Sequence, residues 1–414
     1  SGGKVHMKIN KSRVRYLKNY KSKLVTTYKD VKIIYFYKKG VVLDCKCGKI
    51  KRKYDKRLND EGYVVIGEKD GEIVEESNNF VEPIHSRLFQ LKIERIYWYF
   101  LKCCFYWKCQ GIDARVYLEK VNEAKVVISE NEIKVDETSW CCISEKIWIE
   151  RGGFYIDKAF SGGTPREIYL NAQKYHCRLK QGMSCLKVEK QGIKPGRYEC
   201  VCDPDVTGFL VHEIVGHAAE QDMIDSERSK FRNLYGEKVA SEIVNISDDP
   251  FMPKHVATFK IDDCGNIGEK TDIIVNGVFC NGIKNYRRES HQKRTYTRMS
   301  NTFLKPGTSC VKEMIGSIVD GYFLVNPDYG REDTENLYTY IVVKLAVRVK
   351  NGQFTGEFYK NVIISGDGLE IFRNITMISE KIELSGGGFC RKGESDSIKV
   401  SCGGPFIKTI LEIR

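Results

Sequence analysis

His212-Glu213-Ile214-Val215-Gly216-His217 places two imidazoles and a carboxylate within six residues, inside an apolar segment that reads as helix. These are the components of a hydrolytic zinc site, with His as ligands and Glu as base. The common H-E-x-x-H spacing sets both His on one helical face. Here one more residue separates them, and positions i and i+5 lie roughly 140° apart at about 100° per residue. A regular helix would aim the two rings apart. A π-type bulge, a distortion frequent at functional sites, restores a common direction. Gly216 makes that distortion cheaper, or it is a packing glycine. Without a metal, the same residues make an ordinary polar face.

If His212 and His217 are ligands, a catalytic zinc needs a third protein ligand and one open position for water. Glu213 is then the expected general base, taking a proton from the attacking water in amide hydrolysis. Spacing does not identify the third ligand. Glu220 and Asp222 are the nearest carboxylates, and any of sixteen cysteines offers a thiolate.

The elements that must position these groups follow from pattern. Residues 31–79 read as a strand meander with turns at Lys39-Gly40 and Asp70-Gly71. Residues 86–107 read as a helix with Ser86 as N-cap. Strands return over 115–154, Ser161–Pro165 breaks them, and Arg166–Met183 reads as a polar helix. Ile193-Lys194-Pro195-Gly196 is the expected boundary between an N-terminal α/β-meander domain (7–194) and a C-terminal strand-rich, barrel-like domain (195–414). In the second, a short strand leads into the His helix. Further strands follow, parted by Asn276-Gly277, Asn351-Gly352 and Gly366-Asp367-Gly368. The fold class is α+β.

A chain of 414 residues exceeds one ordinary core, which supports two domains. Its 42% hydrophobic and 29% charged content fits a globular protein. The densest apolar run, Ile96–Trp107, is too short for a membrane span and is interrupted by Lys102. Ser1–His6 reads as a vector-derived leader ahead of Met7, and no signal-peptide core follows it. The cysteines form adjacent pairs, C-x-C pairs and singletons, with no C-x-x-C, so a zinc ribbon is disfavoured. Reduced thiols and a cytoplasmic location are expected. Lys4 to Arg57 holds 19 basic residues against three acidic ones, a net +16 within a chain of +12. That segment supports an alternative reading, a non-enzymatic basic scaffold for nucleic acid or a partner, with structural or no metal. Solvated strand edges explain the charge more simply, and no nucleic-acid motif accompanies it, so nucleic acid is not expected as a partner.

DPDVTGFLVHEIVGHAAEQD (203–222) resembles the signature helix of the TldD/PmbA family of metallopeptidases. The resemblance continues in order through FKIDDCGNIGE (259–269, similar to a family strand), NYRRES (285–290), TRMSNTFLKPG (297–307), NVIISGDGLEIFRNITMIS (361–379) and GGGFCRKGES (386–395). It implies that the third metal ligand is Cys390, beside Gly386–Gly388. It further implies one Zn2+ per chain, held by His212, His217 and Cys390, with Glu213 catalytic. The implied substrates are extended or unfolded peptides, which a strand edge can hold through main-chain hydrogen bonds. The implied assembly is a homodimer, or a heterodimer with a TldE/PmbA-like non-catalytic subunit. Arg288, Glu289, Arg298 and Asn301 are candidates for shaping the cleft, equally readable as structural contacts, and substrate-binding residues are left unassigned. Ala218-Ala219-Glu220-Gln221 departs from the family's usual Gly-Leu-Glu-Gly.

Overall fold

The computed structural model describes residues 11–46, 48–80, 94–149, 153–331, 333–386, 388–392 and 396–414. The first sheet is antiparallel, in the order β4-β3-β1-β5-β6-β7 with β2 beside β1. Its strands are β1 (Lys29–Lys46), β2 (Lys49–Lys53), β3 (Asp60–Lys69), β4 (Glu72–Asn78), β5 (Ala114–Ile128), β6 (Ile133–Trp148) and β7 (Tyr155–Ser161). Side chains alternate across a strand, and here both faces are covered. Ile33, Tyr35 and Tyr37 pack with Leu17 of α1 (Lys11–Leu24). Val41, Leu43 and Cys45 meet Phe100, Cys103 and Trp107 of α2 (Glu94–Cys109) and Ile168 and Ala172 of α3 (Pro165–Cys185). The intervening residues Ile34, Phe36 and Val42 pack with Ile261 or Val256 from the C-terminal half. Two buried faces explain the near-continuous apolar run of β1.

Lys39-Gly40 is not the expected turn, because β1 runs through it unbroken for 18 residues. A Cβ on Gly40 would stand 2.7 Å from Leu58 Cβ, so this glycine serves close approach within a strand. Asp70-Gly71 is a turn, with φ of 53° and 83°. The expected helix over 86–107 appears as α2; Ser86 lies outside the described residues. α3 begins at a capping box in which Glu167 N–H donates to Thr164 Oγ1 at 3.2 Å and Thr164 N–H to Glu167 Oε2 at 2.5 Å.

The C-terminal half contains a closed five-stranded barrel. β8 (Gly196–Cys202) lies between β9 (Asp320–Arg331), to which it is parallel, and β12 (Ile407–Ile413), to which it is antiparallel. β9, β10 (Tyr338–Lys350) and β11 (Gln353–Asp367) form an antiparallel meander. β11 meets β12 at Ile364↔Ile413 and closes the ring. A second sheet contains Ile246–Asp248, Asn301–Leu304, Ser401–Gly404 and the edge strand Glu383–Ser385. Gly366-Asp367-Gly368 proves to be a strand-to-helix junction, with Asp367 capping the helix Gly368–Arg373. Residues 259–269 form no strand; their backbone wraps the Asp262 carboxylate, which accepts from the amides of Cys264 and Asn266. Among the described residues, no helix is long and apolar enough to cross a membrane.

Candidate metal centre

Asp203 ends β8 and caps α4 (Pro204–Leu210), accepting from Val206 N–H at 2.8 Å. Val206, Leu210, Val211, Ile214 and Val215 are buried in one cluster with the barrel residues Leu324, Ile341 and Ile364. This apolar face holds the helix in place, so its polar residues have one direction left. α4 then widens into a π turn over Val211–Gly216, and His217 N–H donates to His212 C=O at 3.2 Å. An i→i+5 bond is the distortion that the His spacing requires. The two rings stand 4.8 Å apart, centroid to centroid. A Cβ on Gly216 would lie 2.1 Å from Met299 Sδ, so this glycine acts by close packing.

Cys390 arrives from the other end of the chain, on the strand Phe389–Lys392 paired with Asp396–Lys399. Its Sγ lies 3.2 Å from His217 Nε2. One potential ligand atom each from His212, His217 and Cys390 lies within 4.8 Å of the others, and all three residues are buried. Burial alone would raise the Cys390 thiol, but His217 and His212 beside it hold it well below its usual range. Burial likewise opposes a charged His217, yet Cys390 and Glu220 push it well above its usual value. Charge thus favours a thiolate at Cys390 beside an imidazolium at His217. Among the described residues, His212 Nδ1 is buried and has no hydrogen-bond partner. Two imidazoles, a ready thiolate and an orphaned ring nitrogen form a donor set that fits zinc, with a cleft beside it for the open position.

Glu220 stands behind His217, with Oε2 3.5 Å from Nδ1, on the side away from the thiolate. It therefore stands outside the His–His–Cys cluster and orients the His217 ring. Burial disfavours its charge, but His217, Lys392 and Arg298 hold the carboxyl ionised. Lys392 Nζ donates to Glu220 Oε2 at 2.7 Å and to Asp222 Oδ1 at 2.5 Å. The fully buried Arg298 donates to Cys390 C=O at 2.8 Å, tying both halves of the cluster together. The sequence offered one signal for Glu220, its place one helical turn after His217. Arg298 lay in a matched block and stood among the cleft candidates, whereas Lys392 carried no such signal.

The cluster opens into a cleft of about 540 Å³ that Glu213 also lines. The opposite wall comes from β6 and β7, including Ser144, Lys158 and Ala159. Lys158 Nζ is 2.7 Å from both carboxylate oxygens of Asp205 on α4. The first sheet thus forms one side of the site, which motif reading did not reveal. Arg288, Glu289 and Asn301 do not line this cleft: Arg288 pairs with Glu75, Glu289 accepts from Ser397 N–H, and Asn301 donates to Asp249 C=O. The basic N-terminal segment falls partly on α1 and on β2, whose five residues are all exposed.

The family model of the PmbA/TldA metallopeptidase C-terminal domain matches residues 195–409. A metalloprotease of Methanocaldococcus jannaschii is 31% identical over 281 residues, 63% of this chain and 58% of the relative. A zinc metalloprotease TldD homolog of Saccharolobus solfataricus is 32% identical over 231 residues, 52% of this chain and 51% of the relative. The chain thus spans between half and three-fifths of these relatives' lengths. The fold is shared with a protein described as a DNA gyrase modulator of Thermotoga maritima (TM-score 0.72, 13% identity, 98% of this chain and 99% of that one). It is also shared with TldE of Thermococcus kodakarensis (TM-score 0.71, 13% identity, 97% and 99%). On the matched motif blocks and the fold they build, this chain belongs to the TldD/PmbA family of metallopeptidases.

Proposed function

We propose that the protein is a zinc-dependent peptidase of extended or unfolded peptides, with one zinc held by His212, His217 and Cys390. The observation that carries this reading is the π turn, which converges two imidazoles with a distant thiolate beside a cleft that the Glu213 carboxylate also lines. Zinc bound there would supply Lewis-acid polarisation of the scissile carbonyl and acidify the attacking water. Glu213 takes the proton of that water and returns it to the leaving amine. Glu220 fixes the His217 ring through Nδ1, which keeps Nε2 directed to the cluster. β7 ends the first sheet and lines the cleft; Asn326 takes both the N–H and the C=O of Asp157 on its outer edge, so main-chain pairing of an extended substrate is confined to the rest of that edge. A dimer, of two copies or with a TldE-like subunit, is the assembly the family reading favours, in the cytoplasm.

The test is Glu213→Gln. Zinc content should stay at about one per chain, as expected for a catalytic site. Cleavage of an unfolded protein, followed by mass spectrometry, should fall by about 10²–10⁴-fold. Unchanged cleavage would remove Glu213 as the base.

A further inference from the structure

A second cavity, of about 400 Å³, lies between α3 and the barrel, on the face opposite the Leu324 core. Its walls are mainly apolar: Leu179 and Met183 of α3 face Phe323, Leu345, Phe354 and Phe406. Its charged groups are already matched. Lys158 Nζ sits 2.7 Å from both oxygens of Asp205, and Arg178 makes a two-pronged bond to Glu383 at 2.7 and 3.0 Å. Asp203 accepts from the amides of Val206 and Asn326. Among the described lining residues no charge is left over to select an ionic ligand, while the apolar wall favours a neutral one. Concave apolar sites of this size, with few polar groups, are the usual seats of small molecules.

We infer that this cavity binds a small, uncharged, apolar molecule. The site is separate from the metal cleft but adjoins it, because Lys158 and Asp205 line both. Asp205 belongs to α4, which runs directly into the π turn. An occupant therefore rests one ion pair away from the helix that carries His212.

The probe is N-phenyl-1-naphthylamine, which is neutral and brightens in apolar surroundings. The full chain should bind it saturably, one per chain. Gly182 lines the cavity, and a Cβ placed on it meets nothing within 4 Å, so Gly182→Trp adds bulk at this wall from an uncrowded position. It should weaken the probe by about tenfold or more through lost apolar burial. Leu179→Gln should weaken it by making the wall polar. Both variants should keep the thermal melt and zinc content of the parent. Binding that never saturates, or that both variants leave unchanged, overturns the inference. A parent dimer that excludes the probe, and that Gly182→Trp converts to monomer, overturns it in favour of a second copy covering this face.

Discussion

Two buried imidazole–carboxylate pairs sit in this molecule with thiols close by, and they have opposite consequences. Between the first sheet and its helices, His176 Nε2 is 2.7 Å from Glu145 Oε2, and Trp107 Nε1 donates to the same oxygen at 3.1 Å. Tyr106 stacks on the His176 ring at 4.4 Å and Trp107 meets it edge-on at 4.6 Å. The neighbouring Cys103 thiol faces a carboxylate, and burial together with Glu145 pushes it well above its ordinary range. Near the cleft the order is reversed. The imidazole of His217 stands between Glu220 and Cys390, so the thiol faces positive charge and ionises. A carboxylate next to a thiol keeps it protonated and inert. A carboxylate behind an imidazole makes a thiolate that a metal can take, because metal ligands must shed their protons.

The sharpest way to break this contrast is to exchange the thiols. Cys390→Ser should abolish tight zinc binding, with metal analysis reading well below the expected one per chain. Chelation should then lower the thermal midpoint of the parent but not of Cys390→Ser, since a ligand stabilises only the fold that binds it. Cys103→Ser should leave zinc content unchanged. If both variants lose zinc, the core cluster is also part of the metal site.

The next effect belongs to the core pair. His176→Ala leaves Glu145 buried without its imidazole, and breaking a buried pair in this way costs about 3–5 kcal/mol. Urea denaturation should show that loss with the zinc content per folded chain intact. Glu220→Gln should do less to the fold and more to the metal. It keeps the shape but weakens the hold on His217 Nδ1, and outer-shell changes of this kind cost about 10–100-fold in metal affinity. A competition titration with a zinc chelator measures it. Equal zinc affinity in Glu220→Gln and parent would reduce Glu220 to a partner of Lys392.

How much of this was legible depends on how far apart the groups lie in the chain. The His spacing announced a widened helix because it is local, and the break at Ser161–Pro165 followed by a helix was readable for the same reason. The strand-rich second half was legible from its Asn-Gly turns, two of which hold, with φ of 49° and 78° at 276–277 and 48° and 73° at 351–352. Cys390 was reachable only by resemblance, since a contact 173 residues away leaves no periodic trace. The cleft wall on β7 was not legible, because Lys158 pairs with Asp205 across the two halves. Lys39-Gly40 misled for a physical reason. Glycine marks turns and close approaches alike, and only the packing of Leu58 tells them apart.

Gly216 carries the same ambiguity inside the candidate metal centre, and it gives the smallest and most discriminating effect. Two explanations of the π turn make different predictions. If the wide turn needs glycine's freedom, Gly216→Ala should restore a regular helix, separate the His rings and lose zinc outright. The geometry favours the other explanation, because the turn has right-handed neighbours at Leu210, φ −58°, and His217, φ −63°, and Gly216 is absent from the left-handed glycines. An added Cβ meets the Met299 side chain, which is flexible and can shift. The expected cost is then overpacking alone, at the lower end of about 1–3 kcal/mol. Zinc stoichiometry should survive, and Gly216→Ala with Met299→Ala should recover part of the loss. That double-variant cycle separates a turn held open by its surroundings, with the i→i+5 bond fixed by the packed apolar face of α4, from one that exists only because position 216 lacks a side chain.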